Sequence, residues 1–278
     1  MIRSLEITVA EDLGIAGRAG YYESAGALRD MVQNHLTQVL TLVAMEPPVS
    51  FDADQIRNEK VKVIEAITPI SPENVVFGQY ESGFIAGEAV PGYREEEGVD
   101  ADSRTPTFVG IRLHIDTWRW QGVPFYLRTG KRLPKSLTQI AVTFLPPPLC
   151  IFHGTRDGCD MAPNVLLITL QPDEGFTLRF SVKAPGEPLT IESQELRFSH
   201  DDVYGALPDA YQALIQDVDL IGGTVTALAV RSNSTSASSR AAMQKSVSKV
   251  FDTRQDSTRR ECQSMMATRY MNPLAIGI

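Results

Sequence analysis

The run Arg29-Asp30-Met31-Val32-Gln33-Asn34-His35 places an imidazole, a carboxylate and two side-chain amides within two helical turns. An imidazole titrates near neutrality and is suited to take a proton from an alcohol. The segment around it, from about Glu23 to Met45, reads as a helix. Leu28, Val32, Val39 and Leu42 recur at helical spacing, and His35 falls on the same line. A histidine on an apolar line has a plain structural explanation, a buried imidazole with one satisfied hydrogen bond. The neighbours weigh against it. Asp30, Gln33 and Asn34 crowd polar groups where an ordinary core helix keeps apolar ones.

The elements that must position this run follow from patterning. Ser4 to Ala10 alternates as a strand, Glu11 stands at its end, and Gly14, Gly17 and Gly20 punctuate a loop into the helix. After Glu46-Pro47-Pro48, a second helix is expected over Ala53 to Ile67, with Asp52 as N-cap and Ile56, Val63, Ile64 and Ile67 as its apolar face. Gly78 to Pro106, rich in Gly, Glu and Asp, reads as a long surface loop without chemistry. Val109, Ile111, Leu113 and Ile115 alternate with Arg112, His114, Asp116 and Trp118, the mark of a half-buried antiparallel strand. Gln121-Gly122 is the expected hairpin turn, and Val123 to Leu127 the returning strand. A basic cluster, Arg128 to Arg132, closes the hairpin. Further strands are expected over Thr138 to Phe144, Val165 to Leu170, Phe176 to Val182 and Thr190 to Phe198, then a helix over Ala206 to Val218. The fold class is α+β, with a large, mostly antiparallel sheet and helices packed on one face.

Whole-chain properties narrow the function. At 278 residues with 43% hydrophobic content, the chain can hold one large domain or two small ones. A formal charge of -8 argues against a nucleic-acid partner. With no apolar run of about eighteen residues, no membrane span is expected, and the N-terminus meets charge too soon for a secretory leader. Cys150, Cys159 and Cys262 read as reduced thiols of a cytoplasmic protein. His35, His114, His153 and His200 are scattered, so no metal site is expected.

The stretch GRAGYYESAGALRDMVQNHLTQVLTLVAMEPP, Gly17 to Pro48, resembles the signature region of glucose-6-phosphate dehydrogenases. TFVGIRLHIDTWRWQGVPFYLRTGKRL, Thr107 to Leu133, and LPDAYQALIQDV resemble the same family. The resemblance implies oxidation of glucose 6-phosphate to its lactone with NADP, in the pentose phosphate pathway. His35 would be the general base, taking the C1 hydroxyl proton while hydride leaves for the nicotinamide. Glu11 and Asp30 would contact the sugar. Lys131, in RTGKRL, would hold the phosphate through charge-assisted hydrogen bonds. The family places a second basic residue five positions on. Ser136 stands there in this chain, so either the preceding Lys135 substitutes through a shortened loop or phosphate affinity is reduced. Gln171, in ITLQPDE, matches a glutamine near the substrate. The large sheet would serve as a homo-oligomer interface.

The resemblance covers about residues 2 to 219. The chain contains no βαβ unit with a glycine-rich turn, so no dinucleotide fingerprint is present. In the family that Rossmann domain precedes this region, along with a RIDHYLGK segment that completes the active site. NADP therefore belongs to the family, no residue of this chain is assigned to it, and the truncated chain alone is expected to be inactive. The expected division is a dehydrogenase C-terminal domain over 1–221 and a divergent, disordered tail over 222–278. Two other readings stay open: a non-catalytic module that dimerises with a full-length relative, and a truncated product whose exposed inter-domain face aggregates.

Overall fold

The computed structural model describes residues 1–85, 87–148, 162–187 and 190–205. The expected helix over Ala206 to Val218, the tail from 222, and Cys150, His153, Cys159 and Cys262 lie outside the described residues. In chain order the main elements are β1 (Ile2–Ala10), α1 (Ala19–Ala27), a π-helical segment (Leu28–Leu36), α2 (Thr37–Ala44) and α3 (Ala53–Glu65). There follow β2 (Val75–Gly78), β3 (Gly83–Ile85), β4 (Glu88–Val90), β5 (Phe108–Leu113), β6 (Phe125–Gly130) and β7 (Leu137–Phe144). The last are β8 (Val165–Gln171), β9 (Gly175–Lys183), β10 (Ile191–Ser199) and the short α4 (His200–Tyr204).

Eight strands form one sheet in the order β10-β9-β8-β7-β1-β6-β5-β2, and β3 and β4 form a separate hairpin. Every pairing in the large sheet is antiparallel except β1 with β6. Parallel neighbours need a long crossover, and the helices fill it. Alternation drives the layering: Leu5, Ile7 and Val9 of β1, Val109, Ile111 and Leu113 of β5, and Phe125 and Leu127 of β6 are all buried on one face. Against them pack Ala27, Met31, Val32, Leu36, Leu40 and Ala44 of the helical layer. The opposite face is polar, with Arg128 bonded to Glu6 at 3.2 Å and to Thr8 at 3.0 Å. Asp52 caps α3 as expected, accepting from the backbone N–H of Asp54 and Gln55.

Four expectations are corrected. The segment Glu23 to Met45 is not one α-helix. Gly26 breaks it at φ 56°, ψ 178°, a conformation open to glycine alone, and the next nine residues are π-helical. The line through Leu28, Val32, His35, Val39 and Leu42 is not the core line, because His35 is exposed and Leu42 is 50% exposed. The buried line runs Ala27, Met31, Leu36, Leu40, Ala44; its five-residue step from Met31 to Leu36 is the π spacing. The β5–β6 connection is not a two-residue turn. Residues 114–124 bridge Ile115 to Ile67 and bury Trp120, whose indole N–H donates to the Ala44 carbonyl at 2.9 Å. Gly78 to Pro106 is not merely a surface loop. It holds the β3–β4 hairpin and a turn that buries Tyr93 completely.

Candidate functional site

Because β1 and β6 run parallel, their C-terminal ends emerge side by side, with Ala10 opposite Gly130. The residues that follow are laced together. Glu11 N–H donates to the Gly130 carbonyl at 3.0 Å, Leu133 N–H to the Glu11 carbonyl at 2.9 Å, and Lys131 N–H to the Thr107 carbonyl at 3.0 Å. This fixes two backbones from which a carboxylate and an ammonium project toward each other. Glu11 and Lys131 form an ion pair in which the lysine side chain is 2% exposed and the glutamate 36%. A buried ammonium is tolerated only with a counter-charge, and Glu11 is that charge. The pair therefore has one buried end and one end open to solvent.

Tyr22 of α1 roofs the pair, with the Lys131 ammonium 5.4 Å from its ring centroid. Burial holds the Tyr22 phenol well above its ordinary range. Asp30 is the next contributor, followed by Tyr93, Glu11 and Tyr80. Glu11 and Asp30, far apart in sequence, thus both bear on one phenol. On the outer side of the helix, Asp30 accepts a hydrogen bond from the Tyr21 hydroxyl at 3.3 Å. Tyr21, Ser24, Arg29, Asp30, Gln33 and Asn34 line a cavity of about 340 Å³. Five-residue hydrogen bonding in the π segment sets Asp30 and His35 one turn apart.

The candidates divide in three. Glu11 and Lys131 meet at Tyr22, while Asp30 bonds to the neighbouring Tyr21 and lines the cavity. His35 is exposed on the same segment as Asp30 and does not line the cavity; among the described residues no carboxylate pairs with its imidazole. Lys135 and Gln171 stand apart from this group. Lys135 is exposed beside Ser136, whose hydroxyl donates to Asp12 at 2.5 Å and accepts from its N–H at 3.1 Å, so Ser136 fastens the turn. Gln171 is exposed at the end of β8, paired with Thr138, two strands from Val9.

The pattern missed several participants. Tyr93 donates to the Glu23 carboxylate, which also accepts from Ser103 at 2.7 Å. Tyr80 donates to Glu96 at 2.8 Å, and Glu96 pairs with Arg132 at 3.3 Å. Their signal was weak: two tyrosines in an otherwise polar, glycine-rich stretch.

Comparison with known proteins bears on this geometry. A family model described as "Glucose-6-phosphate dehydrogenase, C-terminal domain" matches residues 1–244. This chain belongs to that family. Among curated relatives, glucose-6-phosphate 1-dehydrogenase of Dickeya dadantii is 48% identical over 222 residues, covering 77% of this chain and 45% of its own length. That of Mycolicibacterium smegmatis is 46% identical over 222 residues, covering 78% of this chain and 44% of its own. The chain thus spans less than half the length of these dehydrogenases. A solved glucose-6-phosphate dehydrogenase in complex with its substrate glucose-6-phosphate superposes with a TM-score of 0.70 at 38% identity, over 78% of this chain and 44% of that one. The glucose-6-phosphate 1-dehydrogenase of Mycobacterium avium superposes with a TM-score of 0.63 at 39% identity, over 71% of this chain and 41% of that one.

A dehydrogenase of this family implies a nicotinamide dinucleotide. Such a cofactor needs a glycine turn whose backbone can approach a pyrophosphate. The glycine-punctuated loop after β1 does not fit one. At Gly14 the space a Cβ would take is filled by Glu96 Oε1 at 2.5 Å and Arg132 Nε at 2.8 Å, an ion pair that leaves a pyrophosphate no room against that backbone. No described helix is long and apolar enough to cross a membrane.

Proposed function

We propose that this chain is the sugar-phosphate side of a cytoplasmic, NADP-linked glucose 6-phosphate dehydrogenase of the pentose phosphate pathway. The observation that carries this is the Glu11–Lys131 pair at the Tyr22 ring, with Asp30 on the cavity beside the neighbouring Tyr21 and His35 one π turn from Asp30. The two carboxylates accept hydrogen bonds from sugar hydroxyls. The Lys131 ammonium has three donors and gives one to Glu11, which leaves donors for a substrate oxygen. A phosphate drawn to Lys131 also meets the Glu11 carboxylate, so Lys135, exposed on the following turn, supplies further positive charge. His35, exposed and therefore accessible, takes the proton of the C1 hydroxyl.

The chain alone does not turn over, because nothing among its described residues fits the oxidant. Holding two reactants together is worth roughly 7 to 11 kcal/mol of a barrier, and that advantage is lost without a bound oxidant. The test is heteronuclear NMR of the chain titrated with glucose 6-phosphate. The expected result is weak binding, with a dissociation constant on the order of millimolar, shifts at Glu11, Asp30, His35 and Lys131, and their loss in Lys131→Ala. Saturating sugar phosphate that leaves these signals unmoved would refute the assignment. Turnover of glucose 6-phosphate and NADP that disappears in His35→Ala would refute the inactivity.

A second role rests on a separate observation. On the core face of the sheet, among the described residues, Phe176 and Leu196 are 40% and 58% exposed. This supports homo-oligomer formation through the sheet.

A further inference from the structure

Lys131 and Arg132 are consecutive, yet they stand at opposite ends of one aromatic stack. The Lys131 ammonium lies 5.4 Å from the Tyr22 ring centroid. Tyr22 meets Tyr93 edge-on at 5.9 Å and 64°, and Tyr93 meets Tyr80 edge-on at 5.6 Å and 83°. The Arg132 guanidinium lies 5.9 Å from the Tyr80 ring. Arg132 has a backbone φ of 56°, uncommon for any residue but glycine, which turns the chain between the two cations. Each cation also has a carboxylate, Glu11 for Lys131 and Glu96 for Arg132. Glu23, bonded by Tyr93 and Ser103, locks the middle ring. Tyr22 and Tyr93 are 2% and 0% exposed, so neither ring has room to swing.

A ring that serves only as packing needs no cation at its face. Here the ring that faces the Lys131 ammonium is fixed by two more behind it. We propose that Tyr22 is a positioning residue for Lys131, its ring face holding the ammonium where Glu11 and a substrate oxygen can share it. The part that concerns substrate rests on the sugar-phosphate reading above; the part that concerns Lys131 stands without it. The Tyr22 hydroxyl is secondary, since its hydrogen bond to the Pro106 carbonyl is long at 3.5 Å. The ring's electron-rich face carries the effect.

The test replaces Tyr22 in the full chain by phenylalanine, then by mono-, di- and trifluorinated phenylalanines, and by Tyr22→Leu. Fluorination drains the ring face while nearly preserving shape, so the series stays informative even where Tyr22→Leu fails to fold. Two readouts are taken: the Lys131 ammonium signal by NMR, and the dissociation constant for glucose 6-phosphate. The expected result is that Tyr22→Phe keeps both. The fluorinated series then broadens the ammonium signal step by step, and the trifluoro variant binds about tenfold more weakly. A merely structural ring would show no gradation, and flat responses across the series overturn the proposal. An ammonium signal that follows fluorination in a chain that never binds glucose 6-phosphate upholds the positioning of Lys131 and overturns the sugar-phosphate reading instead.

Discussion

Glu11 and Lys131 share one ion pair but not one environment, since the lysine side chain is 2% exposed and the glutamate 36%. Removing either partner should therefore cost different amounts. Glu11→Ala strands an ammonium with no solvent, and loss of a buried partner costs about 3 kcal/mol or more. Lys131→Ala leaves a carboxylate at the solvent edge, where water replaces the lost donor, and about 1 kcal/mol is expected. Urea denaturation of the two variants checks the order, and equal losses would mean that the pair is not desolvated. At this scale the sequence was legible where a motif named a residue: Glu11, Asp30, His35 and Lys131 all carry recognisable context. Tyr22 was not, although it lies inside the same motif. A tyrosine's value here depends on what faces its ring, and Lys131 is distant in sequence. His35 was misplaced by the choice of apolar line, because a fixed helical period cannot anticipate an inserted π turn.

The strands were legible because alternation and burial coincide in them. β1, β5, β6 and β7 appear within a few residues of their expected limits. The helical layer was less so, since the break rests on a single glycine. Gly26 at φ 56° ends α1, and a Cβ there would press the Thr105 methyl at 3.3 Å. Gly26→Ala should cost about 1 to 3 kcal/mol and shift the NMR signals of Asp30 and His35, because the π segment can no longer leave α1 at its present angle. A stable variant with those signals unmoved would show that the break is not set by the glycine. The tyrosine stack makes a separate prediction. Burial comes first among the causes that raise all three phenols above the ordinary 10.0. Above pH about 10 the unfolded chain gives up phenol protons that the folded chain keeps, so stability must fall as pH rises. The loss is at most about 1.4 kcal/mol per pH unit for each buried phenol. Tyrosinate absorbance should show Tyr22, Tyr80 and Tyr93 ionising together with unfolding rather than before it.

At the scale of the molecule, the apolar face of the sheet runs on past the described helices that pack on β1 and β6. Leu166 and Ile168 of β8 still reach the core. Register carries the same face outward, pairing Leu166 with Leu178 and Leu196, and Ile168 with Phe176 and Phe198. Phe176 and Phe198 stack at 5.3 Å with an interplanar angle of 16°. Leu170, Phe176 and Leu196 are 37%, 40% and 58% exposed. Singly exposed apolar residues need no explanation, but a row continuous with a core is the pattern expected of an interaction surface. The opposite face of β9 and β10 is polar, with Arg179 bonded to Glu195 at 2.5 Å, so a second copy should bury the apolar row. Light scattering at tens of micromolar is expected to give a dimer or larger species. Leu196→Asp, which places a charge on the edge-strand end of the row without touching Glu11, Lys131 or Tyr22, should shift the chain toward monomer. The sugar-phosphate NMR shifts should be unchanged in that variant, since assembly and substrate binding use different surfaces. A wild-type chain that stays monomeric at those concentrations would remove assembly through this face, and the substrate assignment would stand on Lys131 and its neighbours alone.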